Sequence, residues 1–274
     1  FQLCERGDFS SIPDEKKFIF EPNYDGTRIA AWKNGDEVKL INRRGVDKTD
    51  VFPEVVEDLK KNKFSFIIDG EIVAKDFSSL AKRDHLKDAA KIRIARKLFP
   101  VQYYVFDLTD QCFDNSHRSP IHHHRWKITN RDRLIDRKYL VNHIIEESET
   151  IKIVRPEPLE ILIMKMAVGA IEGFVAKKKD SPYVGGRQST WLKFRMEETA
   201  DAKVLGIKEG KRSLRILLKG KEHHVSSGLT DKSFAEVKKV FDTLPNPEIY
   251  CSVSFYNDPH TGYRFPHISS IKIK

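Results

Sequence analysis

The sequence predicts an α+β fold in two domains, and three observations carry that prediction. Short runs of alternating apolar residues, broken by Asp25-Gly26 and Asn34-Gly35, point to antiparallel sheets. Several stretches with apolar residues at helical spacing lie between them and supply flanking helices. Near Glu197–Thr199 the text changes to shorter strands with one helix, which divides the chain into domains 1–197 and 198–274. The 274 residues are 39% hydrophobic and 32% charged, enough apolar surface for such cores, which excludes a disordered chain. No stretch approaches the ~20 apolar residues of a membrane helix, and the opening FQLCERGDFSS lacks a signal-peptide core. Cys4, Cys112 and Cys251 stand far apart without metal-ligand spacing, so reduced thiols in a cytoplasmic chain are expected. With 49 Lys+Arg against 40 Asp+Glu, the net charge of +9 fits a polyanionic partner such as nucleic acid.

Taken in order, the elements follow from turn and cap chemistry. Arg28–Trp32 and Val38–Ile41 alternate as half-buried strands, and both Gly-containing dipeptides favour the positive φ of tight hairpins. Val51–Asn62 has helical spacing behind the cap candidate Asp50. Phe64–Ala74 reads as a buried strand, a turn at Asp69-Gly70 and a continuation. Ser78–Pro100 reads as one basic helix with a Ser cap and a terminal Pro, and Val101–Asp110 as an aromatic-rich strand. Helices are expected over about 125–137 and 156–169, with a strand at Ile151–Val154 between them. A Gly-rich turn at Tyr183–Gly186 precedes the strand Trp191–Met196. Beyond Ala200, about five short strands and the helix DKSFAEVKKVFDTL fit a small closed β-barrel of the OB type.

Polar clusters fall at strand ends and turns, where they can converge: Glu21-x-x-x-Asp25-Gly26-x-Arg28, Arg43-Arg44-Gly45, Asp69-Gly70-Glu71, Phe106-Asp107, Glu172-Gly173 and Trp191-x-Lys193-x-Arg195. Singly, each has a plain explanation as a turn or a solvated strand. As an ordered set they resemble the nucleotidyltransferase motifs of ATP-dependent DNA ligases, which RNA ligases and capping enzymes share in looser form. EPNYDGTR is similar to the first motif, E-x-K-x-D-G-x-R, FIIDGEIV to the third and YYVFD to the segment after it. EGFVAKKKDSPYVGGRQSTWLKFR resembles the fourth and fifth motifs combined, and SSGLTD and YRFPHI extend a weaker likeness to compact two-domain ligases of bacterial and archaeal end joining.

That resemblance implies a nucleotidyltransferase (adenylation) domain of antiparallel sheets and flanking helices followed by an OB-fold domain. It implies ATP as adenylate donor, Mg²⁺ as cofactor, and nicked or broken duplex DNA as partner. Glu21, Arg28, Glu71, Phe106, Lys177, Lys193 and Arg195 would contact the nucleotide, Glu71 at the ribose or a metal and Glu172 at a metal. Lys193 and Arg195, two apart on a strand, face one side and can together neutralise an α-phosphate. Arg28 and Arg43 offer planar forks for ribose and phosphate, and Phe106 a flat surface for adenine. The compact length, without a large N-terminal DNA-binding domain, leads us to expect repair or end joining, a clamp made by the two domains, and a monomer near the nucleoid. A Ku-type end-binding protein or a repair polymerase is the expected company.

The motif departs at its centre. Where the family carries its nucleophilic lysine, this sequence has Asn23, and a carboxamide nitrogen delocalised into its carbonyl cannot replace an amine. Lys16, Lys17 and Lys33 lie too far along the chain to substitute. Self-adenylylation is therefore expected to fail, whether Asn23 is an exchanged lysine or the mark of a natural pseudo-ligase that binds nicks or ends without catalysis. An RNA ligase of the same superfamily is the nearest enzymatic rival. At the C-terminus an R-x-D-K-like element is incomplete: Lys272 and Lys274 stand near its position and no Asp follows. The run His122–His124, with His117, lacks the separated pairs of a zinc site and reads as a polar connection. The basic helix around Lys82–Lys97 is expected to lie on DNA backbone, with affinity that falls with salt.

Overall fold

The computed structural model describes residues 1–112, 129–258 and 262–273, in two compact units, Phe1–Arg195 and Met196–Lys274. The fold is α+β, with antiparallel pairing dominant, and the first unit is built on two sheets. The larger sheet orders its strands β4-β3-β5-β6-β7, from β3 (Thr27–Asn34), β4 (Glu37–Asn42), β5 (Ser65–Ala74), β6 (Val101–Cys112) and β7 (Ile151–Ile153). Its inward residues, among them Ile29, Leu40, Ile68 and Val105, close a core with Phe52, with Val55 and Leu59 of α1 (Pro53–Lys60) and with Val141 of α4 (Leu134–Ile144). The smaller sheet orders β1 (Gln2–Arg6), β9 (Gly186–Phe194), β8 (Gly173–Lys178) and β2 (Phe18–Asn23). There Phe174 and Phe194 stack at 4.7 Å under α5 (Leu159–Ala167), with Phe20 and Leu162 in the same cluster.

The hairpin reading holds at one dipeptide and fails at the other. Gly35 sits at φ 57° in the turn that pairs β3 with β4. Asp25-Gly26 instead carries the chain from β2 of one sheet to β3 of the other, with no pairing between them. A Cβ at Gly26 would lie 2.2 Å from the carbonyl oxygen of Ile72, so close backbone approach demands glycine there. Asp69-Gly70 is likewise no turn. It lies within the continuous strand β5, at a register shift, where a Cβ would meet the Tyr103 ring at 2.6 Å.

Three helices also differ from expectation. The basic stretch forms α2 (Phe77–Asp84) and α3 (Ala89–Leu98) rather than one rod. Asp76 caps the first, accepting from the Ser79 N–H at 2.7 Å, and Asp88 starts the second, accepting from Lys91 N–H at 2.8 Å. α1 begins at Pro53, a residue pre-set for the first turn, without a side-chain cap from the preceding residue. The helix expected over 125–137 begins only at Leu134 and runs to Ile144, because Asp132 accepts from the Thr129 N–H at 2.7 Å and holds a turn ahead of it. Residues 125–128 and His117, His122, His123 and His124 lie outside the described residues, as does Lys274.

In the second unit β12 (Lys221–Val225), β11 (Leu214–Leu218), β10 (Glu198–Ile207), β13 (Ile249–Asp258) and β14 (Gly262–Ile273) form one antiparallel sheet in that order. Lys219 and Gly220, at φ 46° and 80°, supply the paired positive dihedrals of the β11–β12 hairpin. Val237 of α6 (Asp231–Thr243) closes a wholly apolar core with Val204, Ile216, Val253 and Phe255. Lys272 is exposed on β14.

Candidate active site

The two sheets of the first unit bring the motif residues together through register. Asn23 pairs with Gly173 across β2 and β8, Val175 with Lys193 across β8 and β9, and Arg28 with Glu71 across β3 and β5. At Gly173 a Cβ would lie 2.1 Å from the Phe194 carbonyl oxygen, so this crossing, like that at Gly26, is closed to any larger residue.

Glu172 is the meeting point. Its Oε2 accepts from Asn23 Nδ2 at 2.5 Å, lies 3.5 Å from Lys193 Nζ and is ion-paired with Arg195. Burial lowers the Lys193 pKa and Arg195 adds to that, while Glu172 opposes both. Nearby, burial raises the Glu71 carboxyl to about 8, with Arg28 and Lys193 pulling it down and Asp69 and Glu172 pushing it up. Such an acid is short of cationic compensation, which an arriving divalent cation would supply. Glu71 and Glu172 are the carboxylates here that could hold a divalent cation of the kind that takes one or two carboxylates alongside substrate phosphates. No cluster of three or more His, Cys, Asp or Glu among the described residues makes a dedicated metal cage.

The other residues fall on the walls. Arg28 forks onto Asp69, at 3.0 and 2.6 Å, rather than standing open. The Tyr183 hydroxyl donates to the same carboxylate at 2.7 Å. The Arg28 guanidinium lies 5.2 Å from the Phe106 ring centroid, and Lys177 Nζ lies 4.4 Å from it and 4.2 Å from that of Trp191. Glu21 is buried with both carboxylate oxygens committed, one to Lys138 at 2.5 Å and one to Lys177 at 2.7 Å. Arg43 is exposed on the turn after β4 and is not among the groups that meet at Glu172.

Sequence reasoning missed the supports of this site. Asp107 receives two bonds from the fully buried Arg137, at 2.8 and 2.9 Å, and Arg137 also reaches the Ser181 carbonyl at 3.0 Å. Lys138, next to it, holds Glu21. No motif marks either residue; the signal open to a reader was two adjacent cations inside a helical stretch that also carries Leu134, Ile135, Leu140, Val141 and Ile144.

Known proteins resemble this chain in sequence and in fold. The chain is 30% identical over 240 residues to a DNA ligase of Sulfophobococcus zilligii, covering 82% of this chain and 37% of that one. It is 30% identical over 304 residues to a DNA ligase of Methanococcus maripaludis, covering 92% and 52%. The chain thus spans about a third to a half of the length of these curated relatives. Among solved structures, a Lig E DNA ligase matches the fold with a TM-score of 0.68 at 17% identity, over 99% of this chain and 98% of that one. The ligase domain of LigD from M. tuberculosis matches with a TM-score of 0.55 at 19% identity, over 99% and 94%. The family model of the ATP dependent DNA ligase domain matches residues 5–195, which takes in all but the start of β1 and every group that converges on Glu172, and the chain belongs to that family.

Proposed function

We propose that this chain is a DNA strand-joining protein that binds adenylate and a nicked duplex but does not charge itself with AMP. One observation carries the reading: Asn23, where the family places its lysine, donates to Glu172 at 2.5 Å beside Lys193 and Arg195. The pocket keeps the cations suited to a phosphate and lacks only the amine that would bond to phosphorus.

What survives is the last step, on a nick whose 5′-phosphate already carries AMP. The 3′-hydroxyl oxygen bonds to the 5′-phosphorus, the phosphoanhydride bond to AMP breaks, AMP leaves, and the hydroxyl proton passes to water. Lys193 and Arg195 steady the charge on the phosphate oxygens, and Phe106 offers its face to adenine. Bound Mg²⁺, held by Glu71 and Glu172, would neutralise further phosphate charge. Exposed Lys82, Lys87, Lys91, Arg93 and Lys97 on and around α2 and α3 suit the DNA backbone, whereas Arg96 is taken by Glu57 at 2.6 Å. We place the activity in repair or end joining, where a Ku-type protein or a polymerase would hold the ends.

The test restores the amine. With labelled ATP, Mg²⁺ and a nicked duplex, Asn23→Lys should form a protein–AMP adduct and seal the nick, while the unaltered chain forms no adduct yet seals a pre-adenylylated nick. An adduct on the unaltered chain would sink the proposal. Inertness of both chains toward every nick supports the second reading that Asn23 suggests, a nick or end sensor without chemistry.

A further inference from the structure

We infer that Lys138, which belongs to none of the motifs, is a positioning residue for the nucleobase half of the pocket, and that Glu21 works through it rather than touching the nucleotide. The inference deepens the nucleotide reading above and rests on it.

Lys138 is 4% exposed on α4, and its ammonium has three fixed partners. It pairs with Glu21 at 2.5 Å and donates to the Val154 carbonyl at 2.6 Å and the Phe106 carbonyl at 3.3 Å. These partners belong to different sheets. Phe106 lies on β6 and Val154 directly follows β7, both in the five-stranded sheet, whereas Glu21 lies on β2 of the four-stranded one. One side chain therefore ties together the two walls that carry the site.

The tie continues through Glu21. Its second oxygen holds Lys177 at 2.7 Å, and the Lys177 ammonium stands over the rings of Phe106 and Trp191. Lys138 thus fixes Phe106 by its backbone and, through Glu21, fixes the cation that covers the Phe106 ring. At 4.4 Å this cation leaves no room for a stacked base on the face it covers, so the chain of contacts sets which face of Phe106 an adenine can use. Stability alone does not ask for the arrangement, since apolar residues of like volume replace buried ion pairs at little cost or with gain. Burial depresses the Lys138 pKa, and Glu21 opposes that shift.

Lys193 and Arg195, on the phosphate side, are not part of the tie, and this separates base from phosphate. Isothermal titration of Lys138→Met with ATP and with tripolyphosphate, alongside a thermal melt, tests the inference. ATP should bind about tenfold more weakly, the scale of contacts that orient a ligand-binding group from behind, while tripolyphosphate affinity stays within about twofold. Unchanged ATP affinity, or equal weakening of both ligands, overturns the role of Lys138 alone. Failure of the unaltered chain to bind ATP overturns the nucleotide reading and this inference with it. Should Lys138→Met lack a cooperative melt, Lys138→Gln, which keeps a donor for the Phe106 carbonyl, goes through the same two titrations and should show a smaller loss confined to ATP.

Discussion

The two units of this chain treat charge in opposite ways. The first seals Glu21, Asp107, Arg83, Arg137, Lys138 and Lys177 from water, each within an ion pair. In the second, Ser213 is the buried polar residue among those described, and pairs such as Arg215–Glu222 lie on the surface. In the second unit five strands and a helix close around an apolar core. Buried pairs are an inefficient route to stability, so those at Glu21, Asp107, Lys138 and Lys177, beside Phe106, mark where geometry has to be held, while Arg83 pairs with Glu54 away from them. The folding core and the site are thus built from different materials.

The largest expected departure comes from breaking the deepest pair. Arg137→Met leaves Asp107 buried without its counter-charge and should lower the unfolding free energy by about 3–5 kcal/mol, measured by urea titration. Replacing Asp107 by Leu in the same chain should recover most of that loss. A single-variant loss well under 1 kcal/mol would place this pair with the surface pairs and erase the contrast between the units.

Next in size is a pH effect at Glu71. Its carboxyl is raised from 4.5 to about 8, so between those values the folded chain holds a proton that the unfolded chain has released. Its contribution to stability is complete below pH 4.5 and disappears as pH rises through about 8. Glu71→Gln should flatten that decline, by about 2–4 kcal/mol between the two ends, in denaturation measured at a series of pH values. An identical slope in both chains would show that the acid is already ionised in the fold.

The smallest effect belongs to the second unit. The Thr230 hydroxyl accepts from the Ser233 N–H at 3.0 Å in a capping box at the start of α6. Thr230→Ala should cost about 1 kcal/mol, read from the same urea titrations. A loss as large as that of Arg137→Met would show that this unit, too, depends on a few polar contacts.

Local chemistry explains what could be read from the sequence. The alternation of β3, the Asn34-Gly35 turn, the helix α6 and the short strands after Ala200 depend on near neighbours, and those readings match the structure. Motif order likewise brought Asn23, Glu172, Lys193 and Arg195 to one point. Asp25-Gly26 and Asp69-Gly70 were misread because a glycine required by close approach looks the same in text as one required by a turn. The break between α2 and α3 depended on Asp88 capping its own turn, a choice that the run of basic residues concealed. The supports, Asp69 under Arg28 and Glu21 between two lysines, join residues 41 to 156 positions apart, and no local pattern names such partners.

The glycines at 26 and 173 have a consequence for the history of such a chain. Each is pressed onto the carbonyl of a neighbouring strand, so the segment bearing Asn23 has no slack with which to present a different side chain to Glu172. A lysine from a nearby position therefore cannot slide into the place of Asn23. Asparagine and lysine codons differ only in their third base, so one base change exchanges the two at this position, and a change at no other position puts an amine there.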